Sequence, residues 1–206
     1  MLMEYLVLER RLKRLRSVLE RRQKDLRLLV DQVRNEHNFS AILRTADAVG
    51  LLYVYYHKGK GVKAKVSEGV TQGAHKWLLI ENVDEPVGLV KNLKEEGYQI
   101  VATVLSDESV NFRSVDYTKP TLLIVGNERE GVSGELAELA DHKVVIPMHG
   151  MVRSLNVSVA TAVILYEAER QRSAKGMYDR PSLTEEEINV LLKKWAYEDV
   201  LKERKR

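Results

Sequence analysis

The sequence predicts an α/β fold in which helices cover both faces of a parallel β-sheet. Short apolar runs rich in β-branched residues alternate along the chain with segments of helical periodicity, a pattern typical of parallel sheets. Runs such as TLLIVG are apolar at nearly every position, as expected for strands buried on both faces. The 206 residues are enough for one domain with short additions.

The first part of the chain is predicted to form a helix and one strand–helix unit. Leucines recur at helical spacing from Glu4 to Gln23, and the other faces of this helix are strongly basic. A buried strand, LRLLVDQV, leads through the polar turn RNEHNFS into the helix AILRTADAV, which Gly50 ends. Polar side chains therefore follow the first strand directly.

The middle of the chain repeats this alternation. Further strands are predicted at LLYVYYH, LLIENV, IVATVL, TLLIVG and KVVIPM. A glycine- and lysine-rich loop from Lys58 to Trp77 separates the first two, and helices are predicted at Val87 to Glu96, Gly134 to Leu139 and Val157 to Gln171.

The two ends of the chain differ in composition from the middle. The linker RSAKGMYDRPS precedes a last helix that starts after Ser182 or Thr184, where TEEE places acidic residues in the first turn. We therefore expect a core domain over residues 25–172, a basic helical extension over residues 1–24 and a second helical extension over residues 173–206.

Composition excludes several classes of protein. The chain has no cysteine, which excludes disulfides, thiolate catalysis and thiolate-bound zinc, and its five histidines show no metal-ligand spacing, so no metal is expected. No apolar run approaches the ~20 residues of a membrane span. The N-terminus does not resemble a signal peptide. A cytoplasmic protein without a membrane partner is the expectation.

The net charge of +3 is small, but the basic residues concentrate at both ends of the chain. One interpretation is solvated helices with internal Glu–Lys and Glu–Arg pairs. The other is an anionic partner such as RNA, which basic segments flanking a neutral core favour.

Two strand–turn units between Thr121 and Arg172 are the strongest candidates for a ligand site. In the first, GNEREG, Gly126 lets a ligand approach the backbone, while Glu128 and Glu130 would repel phosphate and favour a cationic or amine-bearing ligand. A merely structural turn is the alternative. Since the ends of neighbouring parallel strands meet at one edge, the two units predict a pocket lined mostly by main chain.

The second unit is MVRSLNVS, which leads into the long helix. Ser154 and Asn156 either cap this helix or hold a ligand with their side chains and the free amides. Met148 and Leu155 would give apolar contact to an adenine ring, and Pro147 ends the strand pairing. Ser154 has no visible histidine–acid partners, which argues against a hydrolase.

The segment NEHNFSAILRTADAVG carries the remaining candidates. Arg44 lies in an otherwise apolar helix, six residues after Asn38. Either Arg44 lies on an exposed face, or it clamps a phosphate and positions RNA. His37 is a possible general base, although a loop histidine is more often simply exposed.

These segments, in this order, resemble the three motifs of the TrmH-type RNA 2′-O-methyltransferases of the SPOUT class. The matching stretches are NFSAILRTADAVG, LLIVGNEREGVS and VVIPMHGMVRSLNVSVATAVILYE, and the likeness extends through QGAHKWL and VDYTKPTLLIVG. It covers most of the segment from Asp25 to Arg172. Motifs of this length in a fixed order do not arise by chance.

The resemblance implies a SPOUT domain with a deep C-terminal trefoil knot, S-adenosylmethionine as cofactor, and a homodimer whose active site is completed across the interface. The implied cofactor-binding residues are Thr103, Gly126, Asn127, Ile146, Met148, Ser154 and Leu155. The implied active-site residues are Arg44, Asn38, Glu128, Ser154 and Asn156. Arg44 matches the residue proposed to deprotonate the ribose hydroxyl, an awkward role for a group whose pKa exceeds about 12.

Within the family, VRSLNVSVATAVILYEAERQR and the basic ends resemble the branch that methylates guanosine 18 of the tRNA D-loop. The residues then expected to meet tRNA phosphates are Arg11, Arg14, His37, Arg170, Arg172 and Arg180. The alternatives are a ribosomal-RNA 2′-O-methyltransferase of the same fold and a non-catalytic RNA-binding protein. No strand is followed by GxGxxG, which disfavours a dinucleotide-dependent oxidoreductase.

Overall fold

A computed structural model describes residues 9–59, 73–127 and 129–203, with side chains through residue 197. Most of the loop predicted from Lys58 to Trp77 lies outside these ranges. Glu128, the first residues of the predicted N-terminal helix and the last three residues of the chain also lie outside them.

The sheet has seven strands in the described part of the chain, and every neighbouring pair is parallel, which confirms the predicted fold class. The strands are β1 (Leu26–Asp31), β2 (Tyr53–His57), β3 (Leu79–Asn82), β4 (Gln99–Thr103), β5 (Val110–Asn111), β6 (Thr121–Val125) and β7 (His142–Val145). Their order is β3-β2-β1-β6-β4-β7-β5. The sequence did not predict β5, since two exposed residues show no periodicity.

Six α-helices are described: α1 (Glu9–Leu19), α2 (Glu36–Ala48), α3 (Pro86–Glu95), α4 (Gly134–Glu138), α5 (Val157–Ala174) and α6 (Glu185–Glu203). Among the described helices, none has the length and apolar character needed to cross a membrane.

The two faces of the sheet carry separate cores. Along β1, Leu28 and Val30 belong to the core covered by α2 and α5, whereas Leu29 belongs to the core covered by α3 and α4. Successive side chains of a strand point to opposite faces, so a strand covered on both faces must be apolar at consecutive positions. Burial of each such side chain contributes about 1.5–3 kcal/mol.

Helix α2 starts earlier than the sequence suggested. The Asn35 side chain accepts hydrogen bonds from the backbone amides of His37 (2.9 Å) and Asn38 (3.1 Å) and so caps the helix. The expected turn RNEHNFS is therefore largely helical, and Asn38 lies in the first turn of α2. Gly50, in the left-handed region with φ of 82°, follows the C-cap and ends the helix as predicted.

The two terminal helices pack on each other rather than extending freely. Leu15 and Leu19 of α1 share an apolar cluster with Ile188, Leu191 and Trp195 of α6. We call α1, α6 and the segment Arg22–Asp25 the terminal cluster.

Ion pairs join the two helices as well. Arg16 of α1 binds Glu185 at 2.6 Å, and Lys24 binds Glu187. Thr184 and Glu187 each accept a hydrogen bond from the other's backbone amide, a capping box at the start of α6. The acidic first turn of α6 therefore neutralises part of the basic N-terminal segment.

Candidate functional site

Three adjacent parallel strands place predicted cofactor residues at one edge of the sheet. Thr103 is the last residue of β4, Gly126 follows β6 and Ile146 follows β7, and the sheet order is β6-β4-β7. Carboxyl ends of adjacent parallel strands are the usual ligand-binding position in such sheets. We call this edge, with the carboxyl end of β1 and the loops that follow the four strands, the site edge.

The loop after β6 turns back on itself at Gly126. A Cβ atom at Gly126 would lie 1.9 Å from the carbonyl carbon of Gly131, so no other residue fits there without moving the loop. Asn127 and Gly131 exchange two backbone hydrogen bonds of 3.1 Å, and the Asn127 side chain accepts from the amides of Arg129 and Glu130 at 2.8 Å each. These four hydrogen bonds hold Asn127 and Gly131 together at the base of the loop.

The segment after β7, unlike the loop after β6, is not held by hydrogen bonds to other described residues. From Pro147 to Leu155, no backbone group bonds another residue in the described ranges. Ile146 and Met148 are half-buried, while Ser154 and Leu155 are exposed. Backbone donors and acceptors beside partly covered apolar side chains fit a ligand recognised mainly through the main chain, such as a nucleoside. These residues therefore fit S-adenosylmethionine.

Asn156 caps α5, as one of the two interpretations expected, and also contacts Asn38; its role in holding a ligand stays a prediction. Its Oδ1 accepts from the Ser158 amide at 2.8 Å and caps α5, while its Nδ2 donates to Oδ1 of Asn38 at 3.1 Å. This second bond joins residues 118 positions apart, at the starts of α5 and α2. Two predicted active-site residues are therefore in direct contact.

Arg44 lies further along α2 and is exposed. Its side chain makes no hydrogen bond or ion pair with any other residue that the structure describes. Arg44 thus lies on an exposed face, and its contact with an RNA phosphate stays a prediction.

A cavity of about 480 Å³ lies at the site edge between the loops that follow β1 and β6. Its lining residues are Arg34, Asn35, Asn38, Asn127, Arg129 and Glu130. Three of these, Asn38, Asn127 and Glu130, were candidates from the sequence, whereas the two arginines and Asn35 were not. Their polar character directly after two predicted strands was the signal that could have identified them.

Asp31, the last residue of β1, was also missed. Its side chain is fully buried, and Oδ2 accepts the Ser133 amide at 2.8 Å. Its Oδ1 has no hydrogen-bond partner among the described residues. Asp31 fastens the far end of the Asn127–Gly131 loop to β1, a contact between residues 102 positions apart that no local pattern predicts.

The prediction that Arg172 binds RNA is wrong. Arg172 is completely buried: its guanidinium binds Asp25 at 2.6 Å and donates to Gln23 and to the carbonyls of Tyr117 and Lys119. A guanidinium saturated in this way cannot reach a phosphate. The sequence gave no warning, because a basic helix end predicts exposure.

The other predicted RNA-binding residues lie at the surface. Arg11, Arg14, His37, Arg170 and Arg180 are exposed. Arg170 forms an ion pair with Glu167 at 2.8 Å. No cluster of three potential metal ligands occurs among the described residues.

Comparison with known proteins agrees with this geometry. The SpoU rRNA Methylase family matches residues 25–166, and the family's C-terminal region, described as SpoU, rRNA methylase, C-terminal, matches residues 170–206. The tRNA (guanosine(18)-2′-O)-methyltransferase of Aquifex aeolicus is 69% identical over 206 residues, which is all of this chain and 98% of that protein.

Two solved structures have the same fold. The A. aeolicus TrmH/SpoU tRNA modifying enzyme superposes with a TM-score of 0.89 at 68% identity, covering 93% of this chain and 98% of that chain. The SpoU methyltransferase AviRb from Streptomyces viridochromogenes, solved in complex with the cofactor AdoMet, superposes with a TM-score of 0.66 at 30% identity over 74% of this chain and 62% of that one. The chain therefore belongs to the SpoU rRNA methylase family.

Proposed function

We propose that this protein transfers a methyl group from S-adenosylmethionine to the ribose 2′-hydroxyl of guanosine 18 in the tRNA D-loop. The observation that carries the proposal is the 69% identity to a tRNA (guanosine(18)-2′-O)-methyltransferase over the whole chain, both terminal helices included. We also propose a cytoplasmic location for this activity.

The site edge supports this chemistry. S-adenosylmethionine, when bound, supplies a methyl group activated by the adjacent sulfonium. Gly126, Ile146 and Leu155 offer backbone groups and apolar contact for the nucleoside part, beside the shaped loop that Asn127 holds. We place Thr103, Met148 and Ser154 around the same ligand, with Glu128 assigned from its position in the motif alone.

The protein must hold the ribose hydroxyl in line with the methyl group and accept the hydroxyl proton as the O–CH₃ bond forms and the S–CH₃ bond breaks. Asn38 and Asn156, which bond each other at 3.1 Å, stand at the start of the two helices that flank the site. We assign them to orienting the ribose. Arg44, exposed and without an ion-pair partner among the described residues, is assigned to the adjacent phosphate and hydroxyl.

We also propose that the active unit is a homodimer. Met151 and Val152 before α5, and Val159 and Tyr166 on it, are exposed apolar side chains. Val159 and Tyr166 are seven residues apart and so lie on one helical face. A second copy packed on this face would cover apolar surface next to the site edge. Sedimentation of wild type and Tyr166→Glu tests this: a wild-type monomer at micromolar concentration would contradict it.

A ribosomal-RNA 2′-O-methyltransferase is the competing function, since the family description names rRNA. The deciding experiment supplies labelled S-adenosylmethionine together with unmodified tRNA or ribosomal RNA fragments, followed by nuclease mapping of the label. Label in 2′-O-methylguanosine at position 18 of tRNA is expected. Label in ribosomal RNA alone would overturn the substrate. No transfer and no cofactor binding would favour a non-catalytic RNA-binding protein.

A further inference from the structure

The cavity between the loops after β1 and β6 contains two arginines that no motif assigned. Strands β1 and β6 are paired with Val30 opposite Val125, and Arg34 and Arg129 each lie four residues beyond that pair. Both line the cavity of about 480 Å³, within the roughly 300–1,000 Å³ range of ligand sites. Two guanidinium groups from separate loops thus converge on one space.

Both arginines keep unused donors in the part of the chain that the structure describes. Arg34 and Arg129 are exposed, and neither guanidinium has a hydrogen bond or ion pair within the described ranges. By contrast, Arg16, Arg22 and Arg172 each bind a carboxylate. Two guanidinium groups that line one cavity favour an anion as its occupant.

Both arginines are carried on backbone that is already ordered. The Asn127 side chain accepts the Arg129 amide at 2.8 Å, and Asn35, directly after Arg34, caps α2. Preorganised donors lose little freedom on binding, which raises their affinity for an anion. Planar guanidinium groups match the paired oxygens of a phosphodiester.

The position of the cavity distinguishes two candidate anions, an RNA phosphate and the methionine carboxylate of the cofactor. Its described lining residues come from the loop after β1, the first turn of α2 and the loop after β6, and none comes from the ends of β4 and β7, where the cofactor is placed. It does include Asn38, which bonds Asn156. The cavity therefore adjoins the ribose position rather than the methionine carboxylate of the cofactor.

We propose that Arg34 and Arg129 together bind one RNA phosphate of a nucleotide next to the methylated ribose. This inference rests on the proposed function and adds a substrate-binding pair to it. A phosphodiester presents paired anionic oxygens, which guanidinium groups recognise.

The test compares Arg34→Ala, Arg129→Ala and the double variant with Lys91→Ala, which removes one exposed charge from α3 on the opposite face of the sheet. Equilibrium binding of tRNA is measured over a range of salt concentrations, and binding of S-adenosylmethionine in parallel. Each arginine variant should weaken tRNA binding about tenfold, as expected for one charge-assisted hydrogen bond. The fold-loss of tRNA affinity in the double variant should be smaller than the product of the two single-variant losses, because the two residues share one phosphate.

The salt dependence and the cofactor give independent readouts. The slope of log affinity against log salt should fall by about 0.7–0.9 when the phosphate contact is lost, and Lys91→Ala should leave it unchanged. Arginine variants that behave like Lys91→Ala would overturn the inference. Weakened cofactor binding with intact tRNA binding would overturn it in favour of the methionine carboxylate.

Wild-type methyl transfer, mapped in the same preparation, separates this inference from the proposed function. If wild type methylates guanosine 18 while the arginine variants bind tRNA normally, only the phosphate site fails. If wild type binds tRNA through these arginines but transfers no methyl group, only the activity fails. A wild-type protein that binds no tRNA would overturn both.

Discussion

The site edge and the terminal cluster both contain arginines in a basic sequence context, but the two regions bond them differently. In the terminal cluster, Arg22 is 1% exposed and pairs with Asp47, and Arg172 inserts from α5 onto Asp25 with no exposure at all. At the site edge, Arg34, Arg44 and Arg129 are exposed, and none has a partner among the described residues.

The difference shows that an arginine's role depends on whether a neighbouring element supplies acceptors. Burial lowers the pKa of Arg22, and the Asp47 carboxylate opposes that shift, so the pair keeps the guanidinium charged inside the protein. The site-edge arginines keep unused donors. Mutations in the terminal cluster should therefore change stability, and mutations at the site edge should change activity or binding.

The largest effect on stability is expected from Arg172→Met. The substitution leaves the carbonyls of Tyr117 and Lys119 and the carboxylate of Asp25 without their donor, at a cost of about 3 kcal/mol. Urea unfolding measures this loss. Arg170→Met is the matched control, two residues away and exposed, and should leave the unfolding midpoint unchanged. Equal midpoints for both variants would remove the distinction between the regions.

Arg44→Ala should instead lower methyl transfer and leave stability almost unchanged. Methyl transfer to tRNA should fall about 10²-fold or more, equivalent to about 2.7 kcal/mol of barrier, while unfolding stays within about 0.5 kcal/mol of wild type. Single-turnover kinetics at saturating cofactor provide the measurement. Arg44→Lys keeps the charge but loses the planar donor group, so it should recover only part of the rate. Loss of cofactor affinity in Arg44→Ala would contradict the role assigned to it.

Gly126→Ala tests whether the loop shape at the site edge matters for the cofactor. The added methyl group would lie 1.9 Å from the carbonyl carbon of Gly131, so the loop must move. We expect S-adenosylmethionine to bind at least about tenfold more weakly, a change of about 1.4 kcal/mol that calorimetry resolves. Gly134→Ala, where the added atom meets nothing within 4 Å, is the control and should bind normally.

The smallest effect is expected at the ion pair of Lys24 with Glu187. The Lys24 ammonium, and then the Thr184 amide, lower the pKa of Glu187. Its contribution is therefore complete above the ordinary pKa of about 4.5 and is lost as pH falls through the lowered folded value. Glu187→Gln should cost less than about 1 kcal/mol at pH 7, and this cost should shrink as pH falls below 4.5. A pH-independent difference in unfolding free energy would rule out an electrostatic origin.

Sequence patterns predicted features that depend on neighbouring positions. The continuous apolar run of β1 indicated a strand covered on both faces, and Leu28, Leu29 and Val30 divide between two cores as that pattern requires. The capping preference of asparagine predicted a role for Asn156 at the start of α5. Gly50 ended α2 because a left-handed residue after a helix favours glycine.

Features that depend on distant contacts were not predictable. Whether Arg172 is exposed depends on Asp25, which lies 147 positions away, and the basic sequence around Arg172 suggested the wrong answer. Asp31 gains its function from Ser133 on another loop. Arg34 and Arg129 converge only because β1 and β6 are paired in one register. The knot and the boundaries of the extensions remain predictions.

The contacts of the terminal cluster also constrain how the chain is made. Arg16 and its partner Glu185 are separated by 169 positions, and Leu19 packs in the same cluster as Trp195. During synthesis α1 leaves the ribosome long before α6 exists, so its apolar stripe can pack against Leu52 and Trp77 but lacks the partners that α6 supplies until late in synthesis. Long-range closure of this kind slows folding and leaves apolar surface open to other molecules. Helix α6, translated long after α1, therefore completes the packing of α1.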